Sequence, residues 1–191
     1  PTAAPLKILS TGMVYDAELL RRFIVGLEEE AVAGRLAKTE FQLTGSEDFK
    51  PKMSPWPASA RWLGWLERPA LLEAMNEADL FYLQHPFDER QRDFSKTSFP
   101  AKLPGYLAAR RPIVFHAPPY SSAAEFARMH GLPLWIGESD GKKAAQSFAE
   151  ELKKIGSTSP WAQGYDAAVR AFDWKPIQGR FCETLRRLAD S

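Results

Sequence analysis

A lysine close to a predicted helix start is the first residue whose type and position suggest chemistry. Lys102 lies in the segment 98–114, which predicts a helix from Phe99 to Ala109, capped by Ser98, and then a buried strand. Free N–H groups and the helix dipole at a helix N-terminus favour an anion such as a phosphate. A lysine opposes that dipole, so its position makes sense if an anion binds nearby. A solvated surface lysine is equally compatible with the composition.

A single glycine follows the first apolar strand and is the second candidate. The segment 11–15 contains Gly12 but lacks the G-x-G-x-x-G fingerprint, and no G-K-[ST] follows it. A lone glycine at a strand end is more often a turn than a phosphate cradle. Taken by itself, Gly12 is therefore interpreted as a turn.

The histidines and the cysteine offer little further chemistry. His85 follows a strand, and the sequence leaves open whether it contacts a substrate or packs on Pro86. His116 ends an apolar strand, which favours a hydrogen-bonded histidine at the edge of the core. His130 is distant from both, and no histidine has the spacing of a metal site. Cys182 is expected to be a small buried hydrophobe on a helix face.

The elements that would position these residues alternate regularly along the chain. Short apolar runs and amphipathic stretches follow one another about six times, beginning with a strand at 6–11 and a helix at 16–33. This order predicts an α/β fold: a Rossmann-like, mostly parallel sheet of about six strands with helices on both faces, plus C-terminal helices. We expect a domain at 1–156, and helices at 157–191 that pack on it or cross to another domain. Ligands of such sheets bind beyond the carboxyl ends of the strands.

Composition excludes several classes of protein. The 191 residues carry 25 basic and 24 acidic side chains, so the formal net charge is +1 and a dedicated nucleic-acid binder is not expected. One cysteine excludes an intrachain disulfide framework. No apolar run approaches the roughly 20 residues that span a bilayer. The chain begins at Pro1 without a signal peptide or a methionine, and is expected to be a processed product or a piece of a longer protein.

The segment 98–114 resembles a known signature. It is similar to the S-x-P-x-K-x-x-E-Y-L-A-x-G-x-P-I-V pattern in the carboxy-terminal domain of two-domain GT-B glycosyltransferases, the group typified by bacterial cell-surface polysaccharide enzymes. Further similarities to this family occur in the right order, at 9–16, 41–45, 62–66, 78–80, 122–126 and 172–174. The resemblance covers about residues 6–188.

The resemblance implies a domain that binds a nucleotide-diphosphate sugar as substrate, without a further cofactor or metal. The segment 98–102 would hold the diphosphate, the Gly12 turn would lie near the phosphates or the sugar, the 65–66 stretch would flank the base, and the loop 84–97 would line the sugar. The residues implied in donor binding are Gly12, Met13, Tyr15, Trp65, Leu66, His85, Thr97, Ser98, Phe99 and Lys102. The implied activity is sugar transfer in polysaccharide or glycoconjugate synthesis.

Several positions depart from the family pattern. The glutamate that usually holds the ribose falls on Gly105, and the other glutamate of the pair falls on Thr97. The glycine of A-x-G-x-P falls on Arg110. The basic pair expected after the first strand is out of register, with Arg21 and Arg22 nearby. Two missing carboxylates leave open a non-catalytic nucleotide-binding or interaction domain of the same fold. A flavodoxin-like or sugar-isomerase-type domain is a third interpretation.

The resemblance also implies partners. A GT-B active site lies between two domains, so an amino-terminal acceptor domain is expected to precede Pro1, and the isolated chain is expected to be inactive. The family suggests a cytoplasmic location, with the inner face of a membrane as a further option. Neither a nucleic acid nor a transmembrane segment is expected.

Overall fold

The computed structural model describes residues 4–48, 50–155 and 161–189. The strands are β1 (Leu6–Thr11), β2 (Thr39–Thr44), β3 (Ala60–Trp62), β4 (Leu80–Gln84), β5 (Ile113–His116) and β6 (Trp135–Ile136). The α-helices are α1 (Ala17–Val32), α2 (Arg68–Glu77), α3 (Arg92–Thr97), α4 (Leu103–Ala108), α5 (Ser122–Met129), α6 (Gly141–Lys154), α7 (Trp161–Ala171) and α8 (Trp174–Ala189). Two 3-10 helices, Lys50–Met53 and Glu89–Gln91, precede β3 and α3.

The six strands form one parallel sheet in the order β3-β2-β1-β4-β5-β6. The chain runs outward from β1 to β3, returns to the centre, and runs outward on the other side from β4 to β6. The strand order therefore reverses between β1 and β4. Ligands of open α/β sheets bind beyond the carboxyl ends of the strands at such a reversal. The predicted Rossmann-like fold is confirmed.

Two neighbouring residues of β1 show how the sheet separates two cores. Ile8 faces a core shared with α1 and α6, in which Phe23 and Phe148 are fully buried. Leu9 faces the opposite core, shared with α4, α5 and α7, in which Tyr106 is buried. Successive side chains of a strand point to opposite faces, so a strand covered on both sides is apolar throughout. Helices lie on both faces of the sheet, as predicted.

Helix α1 begins and ends at the residues that the sequence predicts. Asp16 is the N-cap, and its carboxylate accepts a hydrogen bond from the N–H of Leu19 at 2.9 Å. Gly34 follows the C-cap with a φ of 70°, the left-handed conformation in which glycine commonly ends helices. Its N-cap Asp16 lies four residues after Gly12, so the capped N-terminus limits the path of the turn between β1 and α1.

The region between β4 and α4 differs from the sequence prediction. The expected loop 84–97 contains a 3-10 helix and α3, and Asp88 caps the 3-10 helix by accepting from the N–H of Arg90 at 2.9 Å. The predicted helix from Phe99 with Ser98 as N-cap is wrong. Ser98 instead ends α3 with its N–H bonded to the carbonyl of Phe94, and α4 begins only at Leu103. Pro100 explains the delay, because a proline disfavours the helical conformation in the residue before it.

The expected C-terminal helices are present as α7 and α8. The break between them falls at Phe172 and Asp173, and residues 174–176 lie inside α8. Asp173 accepts a hydrogen bond from the N–H of Lys175 at 3.0 Å, and Pro176 is tolerated in the first turn. The predicted domain boundary at 156 and 157 lies outside the described residues. Cys182 lies on α8 and is partly exposed, which corrects the expectation of burial.

The described residues contain neither a helix that could span a membrane nor a cluster of metal-binding side chains. None of their helices is both long enough and apolar enough to cross a bilayer. Nor do they contain three or more His, Cys, Asp or Glu side chains grouped so that they could hold a metal ion.

Candidate functional site

The turn after β1 lies at the strand-order reversal and touches the turn after β2. Strands β1 and β2 are in register up to Thr11 and Thr44, so both end at the same level. Gly12 has a φ of 75° and donates its N–H to the carbonyl of Thr44 at 2.7 Å. A Cβ at Gly45, whose φ is 130°, would lie 2.7 Å from the Cα of Gly12. The two turns can approach this closely only because residue 45 is a glycine, and the positive φ of Gly12 also favours glycine.

Lys102 reaches this turn from the start of α4. Its ammonium group donates hydrogen bonds to the carbonyl of Thr11 and, at 3.3 Å, to the carbonyl of Met13. A Cβ at Gly12 would lie 3.9 Å from the lysine Nζ. The resemblance implies that Lys102 and the Gly12 turn both lie near the donor phosphates, and in the structure the two are in contact.

The charge of Lys102 has no counter-ion among the described residues. Their salt bridges do not include this lysine, which is paired with backbone carbonyls only. Burial lowers the pKa of Lys102 to about 8. A desolvated cation without a carboxylate partner is a place where a bound anion gains a charge-assisted hydrogen bond.

Three consecutive backbone N–H groups face no acceptor in this turn. The amides of Met13, Val14 and Tyr15 donate no hydrogen bond within the part of the chain that the structure describes. Successive free amides in a turn create a concave surface that attracts anions. The turn therefore combines free donors with the ammonium group of Lys102.

Tyr106 holds α4 against the end of β1. Its hydroxyl accepts a hydrogen bond from the N–H of Thr11 at 2.8 Å and lies 3.0 Å from the Thr11 hydroxyl. The ring stacks on Phe81 of β4, with centroids 4.3 Å apart and planes 7° from parallel. Burial raises the pKa of Tyr106 to about 12, while both bonds with Thr11 oppose the shift. These contacts position the first turn of α4, and with it Lys102.

A small cavity lies beside the two glycine turns. It has a volume of about 200 Å³ and is lined by Thr11, Gly12, Thr44, Gly45, Trp65, Leu66 and Leu71. The indole of Trp65 is 75% exposed at its rim. An exposed aromatic ring next to a narrow apolar cleft offers a stacking surface for a planar group. Gly12, Trp65 and Leu66, which the sequence analysis singled out, thus line one cavity. Lys102 lies against the same turn, at the same end of the sheet.

His85 lies in a neighbouring aromatic cluster after β4. Its ring is within 6.2 Å of the rings of Tyr15 and Phe94, and the residue is 1% exposed. Neither ring nitrogen has a hydrogen-bond partner in the described part of the protein. Burial lowers the pKa of His85 to about 4; the Ser95 backbone opposes the shift, and the Lys102 charge adds to it. Both interpretations of this histidine stay open, because it is packed in an aromatic cluster and has free donor and acceptor groups.

His116 is a structural residue, as the sequence indicated. It is fully buried, with Nδ1 2.7 Å from the Tyr82 hydroxyl and Nε2 2.8 Å from the Glu138 carbonyl. Both bonds are satisfied by one neutral tautomer, in which Nε2 donates and Nδ1 accepts. Burial lowers the pKa of His116 to about 4.

Three candidate residues make their contacts outside the Gly12 turn and the cavity. The hydroxyl of Thr97 donates to the carbonyl of Asp93 within α3. Ser98 accepts a hydrogen bond from the Ser122 hydroxyl through its carbonyl. The ring of Phe99 packs against the rings of Phe126 and Phe172, which places it towards α5 and α7. A donor-binding role for these three residues remains a prediction.

Sequence reasoning missed several residues that shape this site. Tyr106, Gly45 and Leu71 were not singled out, nor was Gln84 at the end of β4. A polar residue that ends an otherwise apolar strand was the available signal for Gln84. Tyr106 carried no comparable signal, because a tyrosine on the apolar face of a helix is usually core.

Known structures share this fold over nearly the whole chain. No protein-family model matches the sequence, and no curated protein is significantly similar to it. The pneumococcal O-GlcNAc transferase GtfA, in complex with UDP and GlcNAc, matches 98% of this chain and 36% of its own, with a TM-score of 0.64 and 13% identity. An α,α-trehalose-phosphate synthase (UDP-forming) from Burkholderia vietnamiensis is also similar, with a TM-score of 0.65 and 16% identity. The match covers 98% of this chain and 46% of the synthase chain.

A third similar structure is AviGT4, a glycosyltransferase involved in avilamycin A biosynthesis. It matches 98% of this chain and 52% of its own, with a TM-score of 0.63 and 14% identity. The chain thus spans about a third to a half of the length of these proteins. It has the Rossmann-like fold of one part of GT-B glycosyltransferases, in agreement with the family resemblance.

Proposed function

We propose that this chain is the donor-binding half of a glycosyltransferase that uses a nucleoside diphosphate sugar. The observation that carries the proposal is the ammonium group of Lys102 at the Gly12 turn, which has no counter-ion among the described residues. It lies beside the free amides of Met13, Val14 and Tyr15 at the strand-order reversal. A diphosphate placed there accepts hydrogen bonds from the amides and an ion pair from the lysine.

The base of the nucleotide fits the cavity next to the turn. A planar base stacks on Trp65, and Leu66 and Leu71 supply apolar contact. The glycines Gly12 and Gly45 line this cavity without side chains, so the ribose and the phosphates can approach the backbone closely there. The sugar then points towards the region after β4, where His85 has unbonded ring nitrogens.

The chemistry asked of this half is stabilisation of the leaving group. Transfer breaks the bond between the anomeric carbon of the sugar and the β-phosphate oxygen, and the electron pair stays on the nucleoside diphosphate. Negative charge therefore grows on the diphosphate in the transition state. Lys102 and the turn amides are fixed by Tyr106 and Asp16 before the ligand binds, and preorganised donors of this kind lower the barrier.

Calorimetric titration of the chain with UDP, GDP, ADP and FMN tests this proposal. We expect one nucleoside diphosphate to bind and FMN not to bind. UDP is the first candidate, because two of the similar structures are named for it. Lys102→Met should weaken binding by about 10- to 100-fold, since each charge-assisted bond contributes about 1.5–3 kcal/mol. The exposed lysine Lys142, paired with Glu29, supplies the control Lys142→Met, which should leave affinity unchanged. Equal affinity of both variants would contradict the assignment.

Trp65 gives an independent test of the base site. Trp65→Ala should weaken nucleoside diphosphate binding by about 5- to 100-fold, because stacking contributes about 1–3 kcal/mol per base. Trp174 is similarly exposed, at 63%, and lies on α8 away from the cavity, so Trp174→Ala is the matched control. If both substitutions have the same effect on affinity, the base lies elsewhere.

We further propose that an acceptor-binding domain completes the active site and contacts α8. This helix has no buried residue, and it exposes a row of large apolar side chains at helical spacing. The row consists of Trp174, Ile177, Phe181, Leu185 and Leu188. The similar structures are two to three times longer than the part they share with this chain. The chain alone should fold and bind nucleotide without transferring sugar, and transfer by the chain alone would contradict this proposal.

One observation favours a non-catalytic binding domain as the second candidate. Gly105 and Thr97 stand where the family has glutamates, and both are exposed, with the Thr97 hydroxyl bonded to its own helix. The site therefore lacks the carboxylates that the resemblance implies for the ribose. Nucleoside diphosphate binding without turnover of any nucleotide sugar by the complete protein would favour this candidate.

A further inference from the structure

The side chain of Gln84 makes a two-pronged contact with the backbone of Asp16. Its Oε1 accepts a hydrogen bond from the N–H of Asp16 at 3.0 Å, and its Nε2 donates one to the carbonyl of Asp16 at 3.0 Å. The two residues are 68 positions apart in sequence. Gln84 is the last residue of β4 and is only 5% exposed, so water competes weakly for these bonds.

The residue that Gln84 holds fixes the end of the β1–α1 turn at which α1 begins. The carboxylate of Asp16 caps α1, and its carbonyl also accepts the N–H of Leu20 at 3.1 Å. Directly before it lie Met13, Val14 and Tyr15, whose amides have no acceptor in the described part of the protein. Lys102 binds the same turn from the other side, through the carbonyls of Thr11 and Met13. The turn is thus fixed before and after its free amides.

The same contact joins the two loops of the candidate site. Gln84 precedes His85, whose ring meets the ring of Tyr15 edge-on with centroids 6.0 Å apart. Tyr15 also packs on Phe94 of α3, at 5.4 Å. An amide side chain carries an acceptor oxygen and a donor nitrogen on separate atoms, so it can bond the N–H and the carbonyl of one residue at the same time without carrying charge. A glutamate at this position would accept but could donate only when protonated.

We infer that Gln84 is a positioning residue for anion binding: it holds the β1–α1 turn so that the amides of residues 13–15 converge on the phosphate group. The inference takes its ligand from the proposed function. The contact between Gln84 and Asp16 on which it depends is given by the geometry of the structure. Without the two hydrogen bonds to Asp16, the β1–α1 turn loses its fixed orientation. Bound anions then have to order it, which lowers affinity.

Three variants of the full chain test the inference, with UDP as the probe. Gln84→Met removes both bonds at similar volume. Gln42→Met is the matched control, because Gln42 is also buried, in β2 of the same sheet, and its amide bonds to Glu40 rather than to a turn. Gln84→Glu keeps the acceptor and regains the donor only when protonated. UDP affinity, thermal stability and amide hydrogen exchange in the free protein are measured for each.

We expect Gln84→Met to weaken UDP binding by tenfold or more relative to Gln42→Met, at a similar loss of thermal stability. Exchange at Asp16 should become at least tenfold faster in the free protein. For Gln84→Glu, the affinity relative to wild type should rise as the pH falls from 8 to 5, a trend that loss of packing alone would not produce. The inference is overturned if Gln84→Met binds UDP with an affinity within twofold of that of Gln42→Met. It is also overturned if amide exchange at Asp16 is unchanged in Gln84→Met. If the wild type binds none of UDP, GDP and ADP, the proposed function fails, while the exchange data still decide whether Gln84 orders the turn.

Discussion

The hydroxyl of Tyr106 accepts a hydrogen bond from the backbone N–H of Thr11 at 2.8 Å, across 95 residues of sequence. The bond satisfies a donor at the end of β1 that the sheet leaves unpaired. It also ties the first turns of α4 to the point where the strand order reverses. Because Lys102 immediately precedes α4, this one contact sets the place of the positive charge.

Removal of the Tyr106 hydroxyl should therefore affect both stability and binding. Tyr106→Phe leaves the N–H of Thr11 without its partner, and an unsatisfied buried donor costs about 1–3 kcal/mol. Urea unfolding should show a loss in this range, with nucleoside diphosphate affinity reduced as well because Lys102 is less well placed. A variant as stable as wild type would mean that water replaces the hydroxyl.

Lys102 should make stability and binding depend on pH in opposite directions. Its pKa is about 8 in the folded protein and about 10.5 in the unfolded chain, so the unfolded state binds more protons between these values. Stability of the wild type should therefore rise with pH from 8 to 10.5. Nucleoside diphosphate affinity should fall over the same range, by up to tenfold per pH unit, because the anion needs the charged amine.

The variant Lys102→Met should separate these two effects. The shift in pKa corresponds to about 3 kcal/mol of destabilisation of the charged lysine at neutral pH, so the variant should be at least as stable as wild type at pH 7. Its affinity for UDP should be low and should not change between pH 7 and 9. Urea unfolding and calorimetry at pH 7, 8 and 9 measure both quantities. A strongly destabilised variant would show that Lys102 serves the fold and not a ligand.

Two glycine-to-alanine substitutions at the site should have effects of opposite sign. Gly45→Ala places a Cβ 2.7 Å from the Cα of Gly12 at a φ of 130°, so the strands' ends must move apart, at a cost of about 3 kcal/mol or more. Gly105 lies inside α4, where an added Cβ meets only the end of the Met75 side chain at 3.8 Å. Gly105→Ala should stabilise the protein by about 0.5–1 kcal/mol. Thermal unfolding measures both, and a neutral Gly45→Ala would contradict the close contact of the two turns.

The buried histidines should make the protein sensitive to mild acid. His85 and His116 both have a pKa of about 4 when folded, against about 6.5 when unfolded. The unfolded state binds more protons in this window, so stability should fall as the pH decreases from 6.5 to 4, by up to about 3 kcal/mol for each histidine.

A variant of His116 checks the size of this effect. His116→Gln should be less stable than wild type at pH 7, because the bonds to Tyr82 and the Glu138 carbonyl are altered. Its stability should fall less steeply with decreasing pH, because unfolding takes up about one proton fewer than in the wild type. Urea unfolding at pH 7, 6 and 5 gives both slopes. Parallel slopes for the two proteins would show that His116 does not remain neutral in the fold.

The amino-acid sequence by itself determined the alternation of strands and helices and therefore the class of fold. Apolar runs such as Leu6–Thr11 and the helical spacing of α1 are local patterns, and the cap at Asp16 acts within three residues. The family resemblance also implied that Lys102 and the Gly12 turn would lie near the same phosphates, at the edge of the sheet where the carboxyl ends of parallel strands meet. The donor-binding role of these residues stays a prediction.

Only the tertiary structure decided which residues hold the site together. Gln84 reaches Asp16 because β4 lies directly beside β1, and the order of strands in a sheet is not a local property of the chain. The sequence also did not give the correct start of α4. Residue 98 ends α3, Pro100 disfavours a helical residue 99, and α4 begins only at Leu103. Contacts between residues 68 to 95 positions apart depend on which elements pack together, and that choice is made by the whole core at once.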